Sequence, residues 1–255
     1  MRIIGMIHLE TLPGFHGFKD MDYVVERALQ DAEALEQGGV DAILIENTED
    51  HPHTERVREV TVRAFVRVAR EVRGRVKLPI GICVLWNDYR SALRIAKECG
   101  ASFIRVPVFV DRFRTEAGII TGDPEDVILF RKRIGAHTVR VMADIHVKHA
   151  IILTKRSIEE SARDALRRGA DALIVTGRVT GDAPILDDLK RVRQACPEAE
   201  IVVGSGTTPQ NIKELAGYAN AAIVGTYFKT HNKIDPKKGR RIMSLAREVE
   251  QGGLG

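Results

Sequence analysis

Short, nearly continuous runs of aliphatic and β-branched residues recur along this chain. Longer stretches separate them, and there apolar positions return every three or four residues. Eight runs stand out: Ile3–His8, Ala42–Glu46, Ile80–Leu85, Phe103–Val106, Val139–Asp144, Ala172–Thr176, Ile201–Gly204 and Ala222–Gly225. Continuous rather than alternating apolar character is what parallel strands covered on both faces require. The intervening spacing predicts helices over Tyr23–Gln37, Asp88–Cys99, Pro124–Ile134, Ser157–Arg168, Pro184–Ala195, Pro209–Ala216 and Pro236–Glu250. Asp22 is the expected cap of the first, and prolines open several of the others, where a missing N–H costs nothing. Strand and helix in regular alternation predict an α/β fold, a (β/α)8 TIM barrel filling residues 1–255 as one domain.

An internal repeat supports the barrel over an open sheet. Gly39-Val40-Asp41-Ala42-Ile43-Leu44-Ile45 resembles Gly100-Ala101-Ser102-Phe103-Ile104-Arg105-Val106 and Gly169-Ala170-Asp171-Ala172-Leu173-Ile174-Val175, with a weaker copy at Tyr218–Val224. These are the second, fourth, sixth and eighth runs. A unit recurring every second strand suits a barrel, whose alternate strands supply alternate interior layers. A dinucleotide-binding open sheet would need a glycine-rich turn after its first strand, and here that strand runs into His8-Leu9-Glu10-Thr11-Leu12-Pro13-Gly14.

Composition narrows the classes further. Charged residues make up 29% and hydrophobic ones 44%, with a formal net charge of only +4. The basic residues are dispersed among acids. Even the densest group, Lys237-Lys238 with Arg240-Arg241, opens a helix, so no nucleic-acid footprint is expected. Cys83, Cys99 and Cys196 lie far apart, which speaks against a disulfide framework and for a reducing, cytoplasmic location. No run reaches the length of a membrane span, and His8 and Glu10 break the apolar N-terminus too early for a signal peptide. Abundant arginine with few Asn, Gln and Cys residues points to a thermophilic source. Barrels of this size commonly associate, so a homo-oligomer is expected.

The strand carboxyl ends, where barrels build their sites, carry the candidate chemistry. Gly204-Ser205-Gly206-Thr207 follows the seventh run and opens a predicted helix, and Gly225-Thr226 follows the eighth. Glycines let backbone N–H groups approach an anion, and a helix start adds positive partial charge. Together with Gly177 after the sixth run, they predict a phosphate grip. The plainer alternative is a set of tight turns. In an extended Asp144-Ile145-His146-Val147-Lys148, the side chains of Asp144, His146 and Lys148 would share one face. Three readings stay open there: acid–base or Schiff-base chemistry, an Asp144/His146 site for a divalent metal, or a structural ion pair. No cofactor is otherwise expected. Glu46 is a candidate general base, with Arg105 and His8 as orienting groups; a structural Glu46–Arg105 pair is the competing view. Asn47, Asn87, His146, Thr176 and Thr180 are candidate substrate contacts, and Asp88 is expected to cap a helix. The stretch Phe109–Gly122 exceeds an ordinary barrel loop and is either a lid or a plain surface hairpin.

These residues in this order resemble the BtpA family, which is named for a factor needed for photosystem I accumulation and includes SgcQ-type bacterial proteins. The resemblance runs through Gly5-Met6-Ile7-His8-Leu9, Glu46-Asn47, Trp86-Asn87-Asp88, Ile104-Arg105-Val106, Asp144-Ile145-His146-Val147-Lys148-His149, Thr176-Gly177 with Thr180-Gly181, Gly204-Ser205-Gly206 and Gly225-Thr226. It implies a barrel of the ribulose-phosphate-binding type that takes a phosphorylated small molecule. It fixes no reaction: some members carry nucleosidase-like or sugar-metabolism labels, and the family name suggests an assembly factor instead. Two departures stand out. Pro107 replaces a usual Asn, and Thr230-His231-Asn232 replaces a usual Asp-Gly turn.

Overall fold

The computed structural model describes residues 1–147, 149–177 and 186–252. Eight parallel strands close into a barrel: β1 (Arg2–His8), β2 (Ala42–Glu46), β3 (Ile80–Cys83), β4 (Phe103–Val106), β5 (Arg140–Ile145), β6 (Ala172–Val175), β7 (Ile201–Val203) and β8 (Ala221–Val224). They pair in chain order, and β8 returns to β1. Every predicted run is a strand, with ends shifted by no more than two residues.

Period-two alternation divides each strand between two cores. Inside the barrel, Ile4, Met6, Leu44, Cys83, Phe103, Met142, Ala172, Ile174, Val202, Ala221 and Ile223 form one buried cluster. The opposite faces, among them Ile3, Ile7, Ile43, Ile45, Ile104, Val141 and Leu173, pack beneath the helices in a second, larger cluster. This arrangement positions the site. Two residues beyond the interior apolar position, the same face reaches the rim, at His8, Glu46, Leu85, Arg105, Asp144, Thr176, Gly204 and Gly225.

The helices are α1 (Met21–Gly38), α2 (Glu59–Arg75), α3 (Tyr89–Cys99), α4 (Pro124–Arg133), α5 (Ile158–Arg167), α6 (Leu186–Ala195), α7 (Ile212–Leu215) and α8 (Pro236–Gly252). Asp88 caps α3 by accepting from the Ser91 N–H, and Ser157 with Glu160 closes a capping box on α5. The cap of α1 is Asp20 rather than Asp22, because the helix starts two residues earlier than the apolar spacing suggests.

Helix α2 is not among the sequence-predicted helices. Its stripe of Val62, Phe65, Val68, Ala69 and Val72 is buried. However, repeated valines are weak helix formers, and Arg58 at its start makes no side-chain cap. Tertiary packing overrides both. Conversely, α7 keeps only four residues of the predicted Pro209–Ala216 helix, and Pro209–Asn211 form a turn. Contrary to the expectation from sequence, no helix start therefore follows the Gly204 loop directly to lend it a dipole.

Two insertions decorate the carboxyl face. Arg112–Thr115 and Gly118–Thr121 form an antiparallel hairpin, which Ile151–Ile152 extends to three strands. The Phe109–Gly122 stretch is thus a hairpin. Phe113 and Ile120 on its inner face pack with Trp86, Val108 and Val147. After β8, Lys229–Thr230 and Lys233–Ile234 pair across His231 and Asn232, both in the left-handed region with φ of 50° and 60°. The departure from Asp-Gly at this point therefore still makes a tight two-residue turn. No helix among the described residues is long and apolar enough to cross a membrane.

Candidate functional site

A cavity of about 290 Å³ opens at the carboxyl ends of the strands. One wall is glycine-rich: Gly204, Ser205, Gly206, Gly225 and Thr226. Glu46, Thr48 and Arg105 line the floor opposite, and His8 from β1 joins the two.

On the floor, Arg105 is 5% exposed and donates to Asp144 through both Nε and Nη2, at 2.9 and 2.8 Å. Its Nη1 donates to Glu46 Oε2 at 3.2 Å, and Thr48 Oγ1 donates to Glu46 Oε1 at 2.9 Å. Both oxygens of the Glu46 carboxylate are therefore held in place. Burial opposes the Arg105 charge, but Asp144 and then Glu46 more than offset it, so its pKa is raised. Cys83, at the end of β3, is driven well above the usual thiol range by burial and then by Glu46. It is an inert thiol there.

The glycine wall is shaped by what its residues lack. A Cβ on Gly204 would sit 2.4 Å from Thr176 Cγ2 and 2.7 Å from Ile174 Cγ2. A Cβ on Gly225 would sit 2.9 Å from His8 Cε1. Gly206 has a φ of +71°. Asn211 braces this loop from behind: its Oδ1 accepts from the Thr208 N–H and its Nδ2 donates to the Gly206 carbonyl, at 2.8 and 2.9 Å. Thr176 and Thr207 are buried, and among the described residues their hydroxyl oxygens have no hydrogen-bond partner. Such groups normally have a partner.

Several sequence candidates have other occupations. The Asn47 side chain donates to Asp50 and accepts from the Leu85 N–H, tying the loops after β2 and β3. Asn87 exchanges two hydrogen bonds with the Val108 backbone. Neither lines the cavity, whereas their neighbours Thr48 and Trp86 do. The shared face predicted for Asp144, His146 and Lys148 ends with the strand at Ile145. His146 takes a φ of +53°, and its Nε2 lies 3.4 Å from Ser161 Oγ on α5, while Asp144 is bound to Arg105. Burial lowers the His146 pKa. Among the described residues no group of three or more His, Cys, Asp or Glu side chains is placed to hold a metal ion. Gly177 is buried beside the rim. Lys148 and Thr180 lie outside the described residues.

The remaining wall comes from residues that were not singled out as site candidates. His51 and His53 come from the loop after β2, Leu85 and Trp86 from the segment after β3, Pro107 from just past β4, Glu116 from the hairpin tip, and Val147 and His149 from the segment after β5. His53 Nδ1 lies 2.5 Å from Glu116 Oε1, which also accepts from Trp86 Nε1 at 3.1 Å. The usable signal was the long Phe109–Gly122 insertion, which had room to return a charged tip to the mouth.

The BtpA family model matches residues 1–248, nearly the full chain. The chain belongs to the BtpA family. An uncharacterised protein of Thermococcus kodakarensis is 38% identical over 258 residues, covering 99% of this chain and 97% of that one. The Photosystem I biogenesis protein BtpA of Synechocystis is 37% identical over 236 residues, covering 91% and 82%. Among solved structures, thiamine phosphate pyrophosphorylase from Pyrococcus furiosus superposes with a TM-score of 0.61 at 14% identity, covering 97% and 96% of the two chains. That likeness establishes the TIM-barrel fold.

Proposed function

We propose that this BtpA-family barrel is an enzyme acting on a phosphorylated small metabolite, in a lyase, isomerase or hydrolase reaction. The phosphate would rest on the backbone of Gly204–Thr207 and Gly225-Thr226, within reach of Ser205. The observation that carries this reading is that one cavity is lined both by that glycine wall and by Glu46 with Arg105. The loop braced by Asn211 supports it, since little is left to order on binding; the Gly204 N–H is already committed to the Val175 carbonyl, which leaves the grip to the residues that follow it. The fold neighbour, named for a thiamine phosphate reaction, supports the class of ligand.

Glu46 is the proposed acid–base group. Its carboxylate is fixed by Arg105 and Thr48 and faces the cavity, the geometry a proton-transfer group needs. Asp144 holds Arg105 and acts through it. His8, between the two walls, would orient the ligand. Lys148 is proposed as a second proton-transfer or nucleophilic group.

Calorimetry with matched sugars, nucleosides and their monophosphates tests the reading. Binding confined to phosphorylated members, and weakened by Gly204→Ala, is expected. Equal binding of both forms, or of none, contradicts it. A second reading, an assembly factor for a membrane protein complex, is supported by the name of the Synechocystis relative. It predicts that blocking the cavity leaves function in cells intact.

A further inference from the structure

Glu116 and Ala117 are the two-residue turn of the hairpin, between the paired Thr115 and Gly118. The body of the hairpin is fixed by the Phe113–Ile120–Trp86–Val108–Val147 cluster and by Ile151–Ile152. The tip is held differently. Thr115 and Ala117 hydrogen-bond within the turn itself. Among the described residues, the side-chain bonds from the tip to the barrel loops run through Glu116, to His53 and Trp86.

The protons in this cluster can be assigned from donor and acceptor chemistry. His53 Nε2 lies 3.0 Å from the Thr48 carbonyl oxygen, which can only accept. His53 Nδ1 faces Glu116 Oε1, which already accepts from the indole N–H of Trp86. The Glu116 side chain is 59% exposed, so near neutral pH this oxygen belongs to a carboxylate, and the His53 contact is the leading reason that it is held below its ordinary value. Both ring nitrogens of His53 must then donate, and a histidine with two N–H groups is an imidazolium. Its side chain is 7% exposed.

We propose that His53 and Glu116 form a proton-dependent latch, which pins the hairpin tip to the loop after β2 and so sets how far the cavity stands open. The tip, Thr48, Trp86 and His53 all line that cavity. When the imidazolium gives up a proton, the ring keeps one N–H for two acceptors. One contact then becomes acceptor against acceptor, and the ring loses the charge that draws Glu116 to it, so the hold on the tip weakens to what the remaining ring N–H and Trp86 Nε1 supply. Of the groups facing His53, Glu116 on the hairpin and Asp50 on its own loop favour the charged ring. His51, with ring centroids 4.4 Å apart, opposes it once charged, and Trp86 contributes no charge. Protonating Glu116 at low pH would also open the latch. The device regulates access, and it stands whether or not the Gly204 loop takes phosphate.

Two measurements on the full chain test it. Imidazole ¹⁵N spectra should show both His53 nitrogens protonated at about pH 6. Hydrogen-exchange protection of the Trp86 indole and of the tip, corrected for intrinsic rate, should fall about tenfold between roughly pH 6 and pH 9 while Phe113 stays protected. His53→Gln and Glu116→Gln should each remove the pH dependence. A neutral His53 at the lower pH, pH-independent tip protection in the native chain, or a native pH profile in Glu116→Gln would overturn the proposal. Inorganic phosphate added at both pH values separates the two readings: shifts at Gly204–Gly206 report on phosphate binding, and the tip reports on the latch.

Discussion

The two sides of the cavity are built on opposite principles. The side made by β2, β4 and β5 is a closed system of charges. Arg105 is buried between Asp144 and Glu46, and every carboxylate oxygen of that pair is positioned by a donor. The side made by β7 and β8 is shaped by omission, with Gly204 and Gly225 standing where any Cβ would collide with Thr176, Ile174 or His8. The first side fixes the Glu46 carboxylate through side-chain contacts. The second withholds side chains and leaves backbone bordering the cavity. On the proposed function, a site divided this way suits a molecule with an anionic end to be gripped and another end to be acted upon.

Removing Arg105 should break the first side most severely. Arg105→Met leaves two carboxylates buried without their cation and should cost about 3–5 kcal/mol in chemical denaturation. Arg105→Met with Asp144→Leu should recover part of that loss, because the uncompensated charge is reduced. If the single variant is as stable as the native chain, the floor is not the charge-coupled unit described here.

Glu46→Gln sharpens the division of labour. It keeps the shape of the side chain and should leave phosphate binding unchanged. Turnover of whatever phosphorylated substrate the panel identifies should fall by about a hundred- to ten-thousand-fold. Native turnover in this variant would move the chemistry to another group.

On the second side, Gly204→Ala forces a methyl into Thr176 and Ile174 and should cost about 1–3 kcal/mol by overpacking. Here stability and phosphate affinity should fall together, whereas Glu46→Gln should separate activity from phosphate affinity.

The smallest effect lies outside the cavity. Hydrogen bonds from Arg191 hold the Glu159 carboxyl down at about 2. Glu160 and Asp164 on the same helix are lowered too, although burial opposes the shift at Asp164. A depressed carboxylate adds stability that is present above its unfolded-state value and lost as pH falls through the folded one. Stability should therefore decline gently from about pH 5 towards pH 2, equally in native and Glu46→Gln protein. Asp31 and Asp50, raised by burial, work the other way and lose their contribution as pH rises.

The barrel was legible in sequence because parallel strands buried on both faces leave continuous apolar runs, and all eight did. Helix α2 was not, because its valines and uncapped start hide it from local propensity. Period-two alternation carried His8, Glu46, Arg105, Gly204 and Gly225 correctly to the rim for as long as the strands lasted. It gave out in the loops that follow β2, β3 and β5. Asn47, Asn87 and His146 were singled out where Thr48, Trp86 and Val147 line the cavity, because the backbone has left the strand by then. Glu116 reaches the site only through a hairpin fold-back, which no local pattern encodes.

The glycine wall is the hinge of the account, and amide chemical-shift mapping with inorganic phosphate tests it most directly. Saturable shifts at Gly204, Ser205, Gly206, Thr207, Gly225 and Thr226, lost in Gly204→Ala, are expected. Shifts scattered over surface lysines and arginines, with that loop silent, would contradict it.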